Sequence, residues 1–267
     1  MNEKDIAKFP KVIRKLLEGK TYNLDDIGMS SSKVYIFNDM VLKVQEVNEE
    51  SKTEYDIMKW DAVKDVVPNV LAYEVVENTS YLIMSKMDGK MLCSEEYMHN
   101  PRKLVKVMAD GLKHLWSIDV SNCPCDYSLD KKLQMAKYNV ENGLVDMDNC
   151  QPDTYGEKGF ANSEELLEWL YDNKPDEELV LAHGDYCLPN IFGEGNEFKG
   201  FIDVGKMGKA DKWQDIALGY RSLKNNIKGV YNGVKYDYFN PDILFEELGI
   251  EPDWEKIKYY ILMDELF

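Results

Sequence analysis

The sequence predicts an α+β protein with two lobes, a small β-rich amino-terminal lobe and a larger, mainly helical carboxy-terminal lobe. Short apolar runs separated by turn residues dominate up to residue 84, whereas apolar residues at helical spacing dominate after residue 102. The chain of 267 residues is long enough for both lobes to bury substantial cores. We therefore expect an amino-terminal lobe over residues 1–84, a hinge over residues 85–90 and a carboxy-terminal lobe over residues 91–267.

The amino-terminal lobe is predicted to combine helices with a small sheet. Asn38 and Asp39 separate two apolar runs in the pattern of a β-hairpin. Tyr55, Met58 and Ala62 then recur at helical spacing. In chain order, the predicted elements are a charged amphipathic helix over residues 1–20, strands over residues 33–37 and 40–44, a helix over residues 51–62, and strands over residues 70–76 and 80–84.

Helices are predicted to dominate the carboxy-terminal lobe. One helix face is defined by Leu104, Val105, Met108, Leu112 and Leu115. A second apolar cluster is formed by Leu166, Leu167, Trp169 and Leu170. Between the two lobes, the segment MSKMDGK at residues 84–90 passes from apolar to polar residues and contains an Asp-Gly turn. This segment is predicted to be the hinge.

Two short motifs in the carboxy-terminal lobe predict a phosphotransfer centre. Residues 183–190 read HGDYCLPN, with Asp185 five residues before Asn190, and residues 202–205 read IDVG, which contains Asp203. Phosphoryl transfer requires a carboxylate near the attacking hydroxyl and oxygen ligands that hold Mg²⁺ against the phosphates. Protein kinases place these groups in the same order and with the same Asp-to-Asn spacing. The motifs therefore predict Asp185 as the catalytic base and Asn190 and Asp203 as the Mg²⁺ ligands.

A kinase centre also needs a lysine on the nucleotide phosphates and a helix glutamate that pairs with it. Lys43 lies in the second strand of the predicted hairpin, and Glu54 follows eleven residues later near the start of a predicted helix. Each feature by itself is common, since lysines in hairpins usually face solvent and acidic residues favour the first turn of a helix. Together with Asp185, Asn190 and Asp203, the pair favours a protein-kinase-like fold.

Eight segments, spread over nearly the whole chain, point to a more specific resemblance. They are GMSSSKVY (28–35), VLKV (41–44), MSKMDG (84–89), MLCSEEY (91–97), SIDVSNCP (117–124), HGDYCLPNIF (183–192), GFIDVGKMGKADKWQDIA (200–217) and PDWEKIKYYILMDELF (252–267). In these segments the chain resembles the aminoglycoside 3'-phosphotransferases, bacterial antibiotic kinases with a protein-kinase-like fold. The resemblance implies ATP or GTP as the phosphate donor, Mg²⁺ as the cofactor and an aminoglycoside as the acceptor, with antibiotic resistance as the result.

The resemblance also implies specific nucleotide contacts. Ser30 is expected over the phosphates beside Lys43, and the backbone of Ser85 and Met87 in the hinge is expected to receive the adenine. Val41 stands where members of the family carry a tyrosine that stacks on adenine. The loss of that aromatic face predicts weaker base stacking and a relaxed choice between ATP and GTP.

The substrate residues implied by the resemblance lie in three segments. Asp264, Glu265 and Phe267 match positions that bind the drug, and Arg221 matches an arginine near the substrate. An acidic stretch matches an antibiotic-binding loop whose carboxylates would bind substrate ammonium groups. Glu157 is taken as the binding residue of that loop, although a solvated acidic loop is an alternative for each of its acidic residues, Asp146, Asp148, Asp153 and Glu157.

Composition limits the partners and the location. A net charge of −17 disfavours nucleic acids and anionic membranes and suits a polycationic substrate, although solubility alone also accounts for such a charge. There is no apolar run long enough to span a bilayer, and the first 20 residues do not resemble a signal peptide, so a cytoplasmic protein is expected. The five cysteines lack metal-ligand spacing and are expected to be reduced and not catalytic.

Three functions are compatible with these residues. The first is an aminoglycoside O-phosphotransferase that uses MgATP or MgGTP. The second is a related small-molecule kinase for another hydroxyl compound, and the third is a nucleotide-binding pseudokinase. The complete set of Lys43, Asp185, Asn190 and Asp203 argues against a pseudokinase, and residues 264–267 and the acidic loop favour an aminoglycoside.

Overall fold

The computed structural model describes residues 8–24, 32–147, 150–236 and 238–267. Ser30 and Asp148, which belong to the predicted nucleotide and antibiotic loops, lie outside the described residues. Within the described part of the chain, no helix is long and apolar enough to cross a membrane.

The first part of the chain is built on an antiparallel sheet with the strand order β1-β2-β3-β5-β4. Its elements are α1 (Lys11–Leu17), β1 (Asn23–Leu24), β2 (Lys33–Ile36), β3 (Met40–Glu46), α2 (Glu49–Lys59), β4 (Val70–Val76) and β5 (Thr79–Ser85). The predicted hairpin, the second helix and the two later strands are confirmed. Helix α2 begins before the predicted residue 51 because the side chains of Asn48 and Ser51 form a reciprocal capping box at its first turn.

The two faces of this sheet have different partners. Because side chains alternate between the faces of a strand, β3 directs Leu42 to one face and both Val41 and Lys43 to the other. Leu42 joins a core cluster with Ile13 and Leu17 of α1. Lys43 is therefore directed away from α1, to the face of the sheet that also carries Val41.

Helices make up most of the second part of the chain, as the sequence predicts. They are α3 (Glu95–Met98), α4 (Pro101–Trp116), α5 (Leu129–Glu141), α6 (Ser163–Asp172), α7 (Lys212–Ile227), α8 (Ile243–Leu248) and α9 (Trp254–Asp264). Two small sheets accompany them, formed by β6 (Lys90–Met91), β8 (Ile191–Glu194) and β9 (Glu197–Phe201), and by β7 (Leu179–Ala182) and β10 (Gly208–Asp211). The apolar pair Phe201 and Ile202 indicates a short buried strand before Asp203, and β9 confirms it. The other short strands were not predicted, because runs of two to five residues carry little periodic signal.

The small sheets position the two motifs. Strand β7 leads into the loop at residues 183–190 and β8 leaves it, while β9 and β10 flank the motif at residues 202–205. Ala182 pairs with Gly208, and Ile191 pairs with Phe201. Both ends of the two loops are thus joined by strand pairing, which brings the motifs side by side.

Candidate active site

Asn190 and Asp203 are brought together by the pairing of the strands next to them. The Ile202 N–H donates to the Asn190 carbonyl oxygen at 3.0 Å, which continues the β8–β9 pairing beyond Phe201. Asp185 lies in the same loop as Asn190, and the two side chains are bonded to each other. The three oxygen-bearing side chains predicted from the motifs therefore lie in two adjacent loops.

The backbone of both loops takes conformations that ordinary residues rarely adopt. Gly184 has φ +83°, and a Cβ atom there would overlap the carbonyl oxygen of Lys206. Only glycine therefore allows the loop at residues 183–190 to lie so close to the segment after Asp203. Asp203 itself has φ 58° and ψ 54°, a left-handed conformation that is uncommon for a residue with a side chain. Such strain is typical of functional positions.

Asp185 is held by hydrogen bonds to its side chain and to its backbone. Asn190 Nδ2 donates to Asp185 Oδ2 at 3.0 Å and to the Asp185 carbonyl oxygen at 3.1 Å. The Asp185 N–H donates to His183 Nδ1 at 3.3 Å, while His183 Nε2 lies 3.0 Å from the Ile202 carbonyl oxygen. With Nδ1 accepting a bond, Nε2 is the ring nitrogen that donates to the Ile202 carbonyl oxygen, so both ring nitrogens of His183 serve the loop backbone. The Asn190 amide bonds only Oδ2, so the second carboxylate oxygen of Asp185, Oδ1, takes no part in this contact.

Asp215 holds the backbone at the start of the loop at residues 183–190. Its fully buried carboxylate accepts the His183 N–H at 2.5 Å and the Gly184 N–H at 2.9 Å. Burial raises the pKa of Asp215, and the backbone bonds oppose that shift. Asp215 lies in the first turn of α7, which begins after the N-cap Asp211. Both aspartates thus have structural roles, since Asp211 accepts the Trp213 N–H at the start of the helix and Asp215 holds the loop.

Asp215→Asn is expected to lower the free energy of unfolding by about 1 to 3 kcal/mol. An asparagine amide would direct its NH₂ group at one of the two backbone N–H donors and leave that donor buried without an acceptor. Urea denaturation measures the change. The matched control is Asp130→Asn, because Asp130 forms an exposed pair with Lys174 and should change stability by less than about 1 kcal/mol. Equal losses in the two variants would contradict the bracing role.

The Lys43 ammonium joins the two parts of the chain. Its Nζ lies 3.0 Å from Glu54 Oε2 and 2.8 Å from Asp203 Oδ1. Lys43 is 8% exposed and Glu54 is 1% exposed, so water screens this pair weakly. Burial alone would lower the pKa of Lys43, but the two carboxylates raise it above its ordinary value. The lysine is therefore held as a cation at the position where nucleotide phosphates are expected.

Helix α2 lies directly against the turn that follows Asp203. A Cβ atom on Gly205 would come within 2.5 Å of Glu50 Cγ, so the glycine allows this close approach. The contact sets the position of Glu54 relative to Asp203. For Asp203 itself, burial opposes ionisation, but the Lys43 ammonium holds the pKa of its carboxyl below the usual value.

Asn190 and Asp203 offer a donor set that fits Mg²⁺ bound together with phosphates. Both bonds of the Asn190 amide use its nitrogen, which leaves Oδ1 to coordinate a cation, and Asp203 has a second carboxylate oxygen besides the one bonded to Lys43. Mg²⁺ usually takes one or two protein oxygens and completes its shell with water and substrate phosphates. Across the described ranges, no group of three or more His, Cys, Asp or Glu side chains could hold a metal ion without such help.

The segment predicted to be the hinge begins beside the Lys43 face of the sheet. Val41 is opposite Met84 in the β3–β5 pairing, and both side chains are directed to the same face as Lys43. Ser85 is held at the end of β5, because its N–H donates to the Asn69 carbonyl oxygen at 2.9 Å and its Oγ accepts from the Asn69 N–H at 2.9 Å. An apolar wall therefore leads from Lys43 to the hinge at Ser85.

Met87 is packed against the second part of the chain. A Cβ atom on Gly200 would lie 2.7 Å from Met87 Cε, so the thioether lies directly over this glycine of β9. The predicted hinge segment is thus held at Ser85 by Asn69 and at Met87 by β9.

The predicted substrate residues are brought together only in part. Arg221 donates to Asp264 Oδ2 at 2.5 Å, so two expected substrate residues bind each other. Glu265 accepts the Gln151 N–H at 3.0 Å. Glu157 is exposed in the loop that begins near Gln151. The arrangement places Glu265, but not Glu157, in a defined contact between residues 264–267 and the acidic loop.

One feature of the site was not predicted from the sequence. Gln45 Nε2 donates to Glu54 Oε2 at 3.3 Å and so helps to orient the partner of Lys43. Gln45 lies two residues after Lys43, and the alternation of side chains along a strand predicts that both lie on the same face. Cys187 lies in the loop between Asp185 and Asn190, where burial and then the Asp185 charge raise the pKa of its thiol. The expectation that this cysteine is not a catalytic thiolate agrees with that shift.

Comparison with known proteins shows similarity over almost the full length. Residues 25–243 match the family model described as "Phosphotransferase enzyme family". An aminoglycoside 3'-phosphotransferase from Enterococcus faecalis is 40% identical over 268 residues, which cover 96% of this chain and 97% of the relative. A second one from Staphylococcus aureus is 39% identical over 267 residues, with the same coverage of 96% and 97%.

Solved structures show the same fold. The crystal structure of an aminoglycoside 3'-phosphotransferase of type VIII matches with a TM-score of 0.82 and 25% identity, covering 99% of this chain and 98% of the other. An aminoglycoside phosphotransferase from Streptomyces rimosus, solved with ADP and streptomycin, matches with a TM-score of 0.71 and 21% identity over 92% of each chain. The predicted α+β, protein-kinase-like fold is confirmed.

Proposed function

Because the chain belongs to the aminoglycoside 3'-phosphotransferase family and is a phosphotransferase enzyme, we propose that it transfers the γ-phosphate of MgATP or MgGTP to the 3'-hydroxyl of an aminoglycoside. The observation that carries the proposal is the Lys43 ammonium, which binds Glu54 and Asp203 at once beside the loop of Asp185. Phosphoryl transfer depends mainly on positioning and on charge stabilisation, and this arrangement offers both. Antibiotic resistance would be the biological result.

In this proposal Asp185 orients the attacking hydroxyl and accepts its proton. Asn190 holds Oδ2 of Asp185, so Oδ1 is the oxygen that receives the hydroxyl proton. A general base must lie within hydrogen-bond distance of the proton that it removes. The bonds from Asp215 to the backbone of residues 183 and 184 keep the loop in place during the reaction.

The donor phosphates would be held by Lys43, Asn190 and Asp203, together with Ser30. When bound, Mg²⁺ would neutralise the phosphate charge that increases as the γ-phosphoryl group leaves. Asn190 Oδ1 and the Asp203 carboxylate would hold the ion, and Lys43 would bind the phosphates while Glu54 keeps it in position. The backbone of Ser85 and Met87 would receive the base.

The acceptor site belongs to the second part of the chain. Asp264, Glu265 and Phe267 would bind the aminoglycoside with Arg221 and Glu157, because several carboxylates are needed for its ammonium groups. The net charge of −17 attracts a polycation and disfavours nucleic acids and anionic membranes as partners. A cytoplasmic location, where nucleoside triphosphates are available, belongs to the same proposal, as does the division into residues 1–84, 85–90 and 91–267.

A phosphate-transfer assay tests the proposal. The purified protein is incubated with ATP or GTP, Mg²⁺ and a panel of aminoglycosides, half of which lack the 3'-hydroxyl. Transfer only to members that carry this hydroxyl supports the proposed reaction. Transfer to choline or to a sugar amine, with none to aminoglycosides, would favour the related small-molecule kinase, and no transfer to any acceptor would favour the pseudokinase.

Val41→Tyr is expected to strengthen ATP binding by about 0.5 to 1.5 kcal/mol, the usual increment for an aromatic pair. Val41 and Met84 now form an apolar wall without an aromatic face, so the base is recognised mainly by the hinge backbone. The wild type should therefore accept GTP as well as ATP. Competition between the two nucleotides on both proteins measures the effect. Strict ATP use by the wild type, unchanged in the variant, would show that other groups decide the choice of base.

A further inference from the structure

Lys132 in α5 is a buried cation that no sequence motif indicated. Its side chain is 8% exposed, and its Nζ lies 4.8 Å from the centroid of the Phe267 ring. Within the described residues, no carboxylate oxygen approaches this ammonium to 4.0 Å or closer. Burial lowers the pKa of Lys132 to about 8, which reflects the cost of holding a charge away from water. An apolar side chain would avoid that cost, so the ammonium needs an explanation.

The face of α5 that carries Lys132 also holds the residue before Phe267. Asn139 Nδ2 donates to the Leu266 carbonyl oxygen at 2.8 Å. Asn139 follows Lys132 by seven residues, which is two helical turns, so both side chains lie on one face of the helix. Together they bind the last two residues of the sequence, one through a ring and the other through a carbonyl oxygen.

The neighbouring residues of the same segment are held by other elements. Asp264 is bound by Arg221 of α7, and Glu265 is bound by the backbone of Gln151. The groups that act on the charge of Lys132 are Asp264, then Lys206, Asp215 and Asp185. Burial opposes the ionisation of Asp264, yet the cations Arg221, Lys132 and Lys206 keep the pKa of that carboxyl below its usual value. Lys132 therefore acts on the segment through both Phe267 and Asp264.

We propose that Lys132 is a positioning residue for aminoglycoside binding: its ammonium holds the Phe267 ring, and through it residues 264–267, in the conformation that receives the substrate. This inference rests on the proposed function. A cation over an aromatic ring is stabilised when it is shielded from water. A buried cation next to a site for polycations repels the substrate, so its presence is useful only if ordering the segment outweighs that repulsion.

Lys132→Met tests the inference, because methionine keeps an unbranched apolar stem and removes the charge. We expect the KM for aminoglycosides to rise by about tenfold, with little change in the KM for nucleotide or in kcat. In Lys132→Arg the KM for aminoglycosides should stay within about threefold of the wild-type value, since a guanidinium also binds an aromatic face. The control is Lys131→Met, which removes an exposed lysine from the same helix and should change neither KM.

A double-mutant cycle separates positioning from a general effect on folding. In a Phe267→Leu background, Lys132→Met should have a much smaller effect on aminoglycoside binding, because the ring is absent and only the charge of Asp264 is left for Lys132 to act on. The melting temperature of Lys132→Met should be unchanged or higher, since an apolar side chain replaces a buried charge. Equal effects of Lys132→Met with and without Phe267 would overturn the inference.

Calorimetric titration with an aminoglycoside separates this inference from the proposed function. If the wild type binds the drug and Lys132→Met binds it equally well or more tightly, only the role of Lys132 is wrong. If the wild type binds no aminoglycoside, the proposed function and the role of Lys132 are both wrong.

Discussion

Asp185→Asn is expected to lower kcat for phosphate transfer by about 10²- to 10⁴-fold, the usual contribution of a general base. Asparagine has the shape of aspartate and can still accept the bond from Asn190 Nδ2, but it cannot take a proton from the substrate hydroxyl. The fold and nucleotide affinity should therefore be retained. A coupled kinase assay measures kcat, and titration with a fluorescent nucleotide measures affinity.

The matched control for this variant is Asp172→Asn at the exposed end of α6, which should leave kcat unchanged. Thermal unfolding of both variants shows whether the loss of activity comes from the loss of the carboxylate or from unfolding. If Asp185→Asn turned over within a few-fold of the wild type, another group would have to serve as the base.

Asp203→Ala is expected to remove most of the Mg²⁺-dependent part of nucleotide binding. Loss of a partner outside the coordination shell typically costs about 10- to 100-fold in metal affinity, so loss of a charged ligand should cost at least about 10²-fold. Lys43 would keep its bond to Glu54, so nucleotide affinity without metal should change little. Nucleotide titrations with and without Mg²⁺ measure the two affinities separately.

Asn190→Ala offers a graded comparison, because Asn190 would supply a neutral oxygen and Asp203 a full negative charge. The loss of metal-dependent affinity should be smaller for Asn190→Ala, although the release of Asp185 from Asn190 Nδ2 should lower kcat as well. Normal metal-dependent affinity in Asp203→Ala would mean that the ion is held elsewhere.

The positions of the candidate catalytic and nucleotide-binding residues were predictable because their signal is local. Asp185 and Asn190 lie within one loop of the chain, and Lys43 and Glu54 are only eleven residues apart. One loop determines the distance between Asp185 and Asn190. A strand and the helix that follows it determine the distance between Lys43 and Glu54. The structure places all four as the motifs predict, while their chemical roles stay proposals for the experiments above.

Contacts between distant segments were not predictable in the same way. Arg221 and Asp264 are 43 residues apart, and the sequence marks both as substrate residues without indicating that they bind each other. Lys132 has the ordinary sequence context of an exposed helix lysine. Only the packing of α5 against residues 266 and 267 buries its ammonium beside Phe267.

The sequence by itself determined the family, the fold class and the residues of the phosphotransfer motifs, because these depend on residue type at short, fixed spacing. The tertiary structure decided the left-handed backbone of Asp203, the bridging of Glu54 and Asp203 by Lys43, and the contacts of residues 264–267. These features depend on burial and on distances between segments far apart in the chain. Periodicity and motif spacing carry no information about such distances, since packing sets them only when the whole chain has folded.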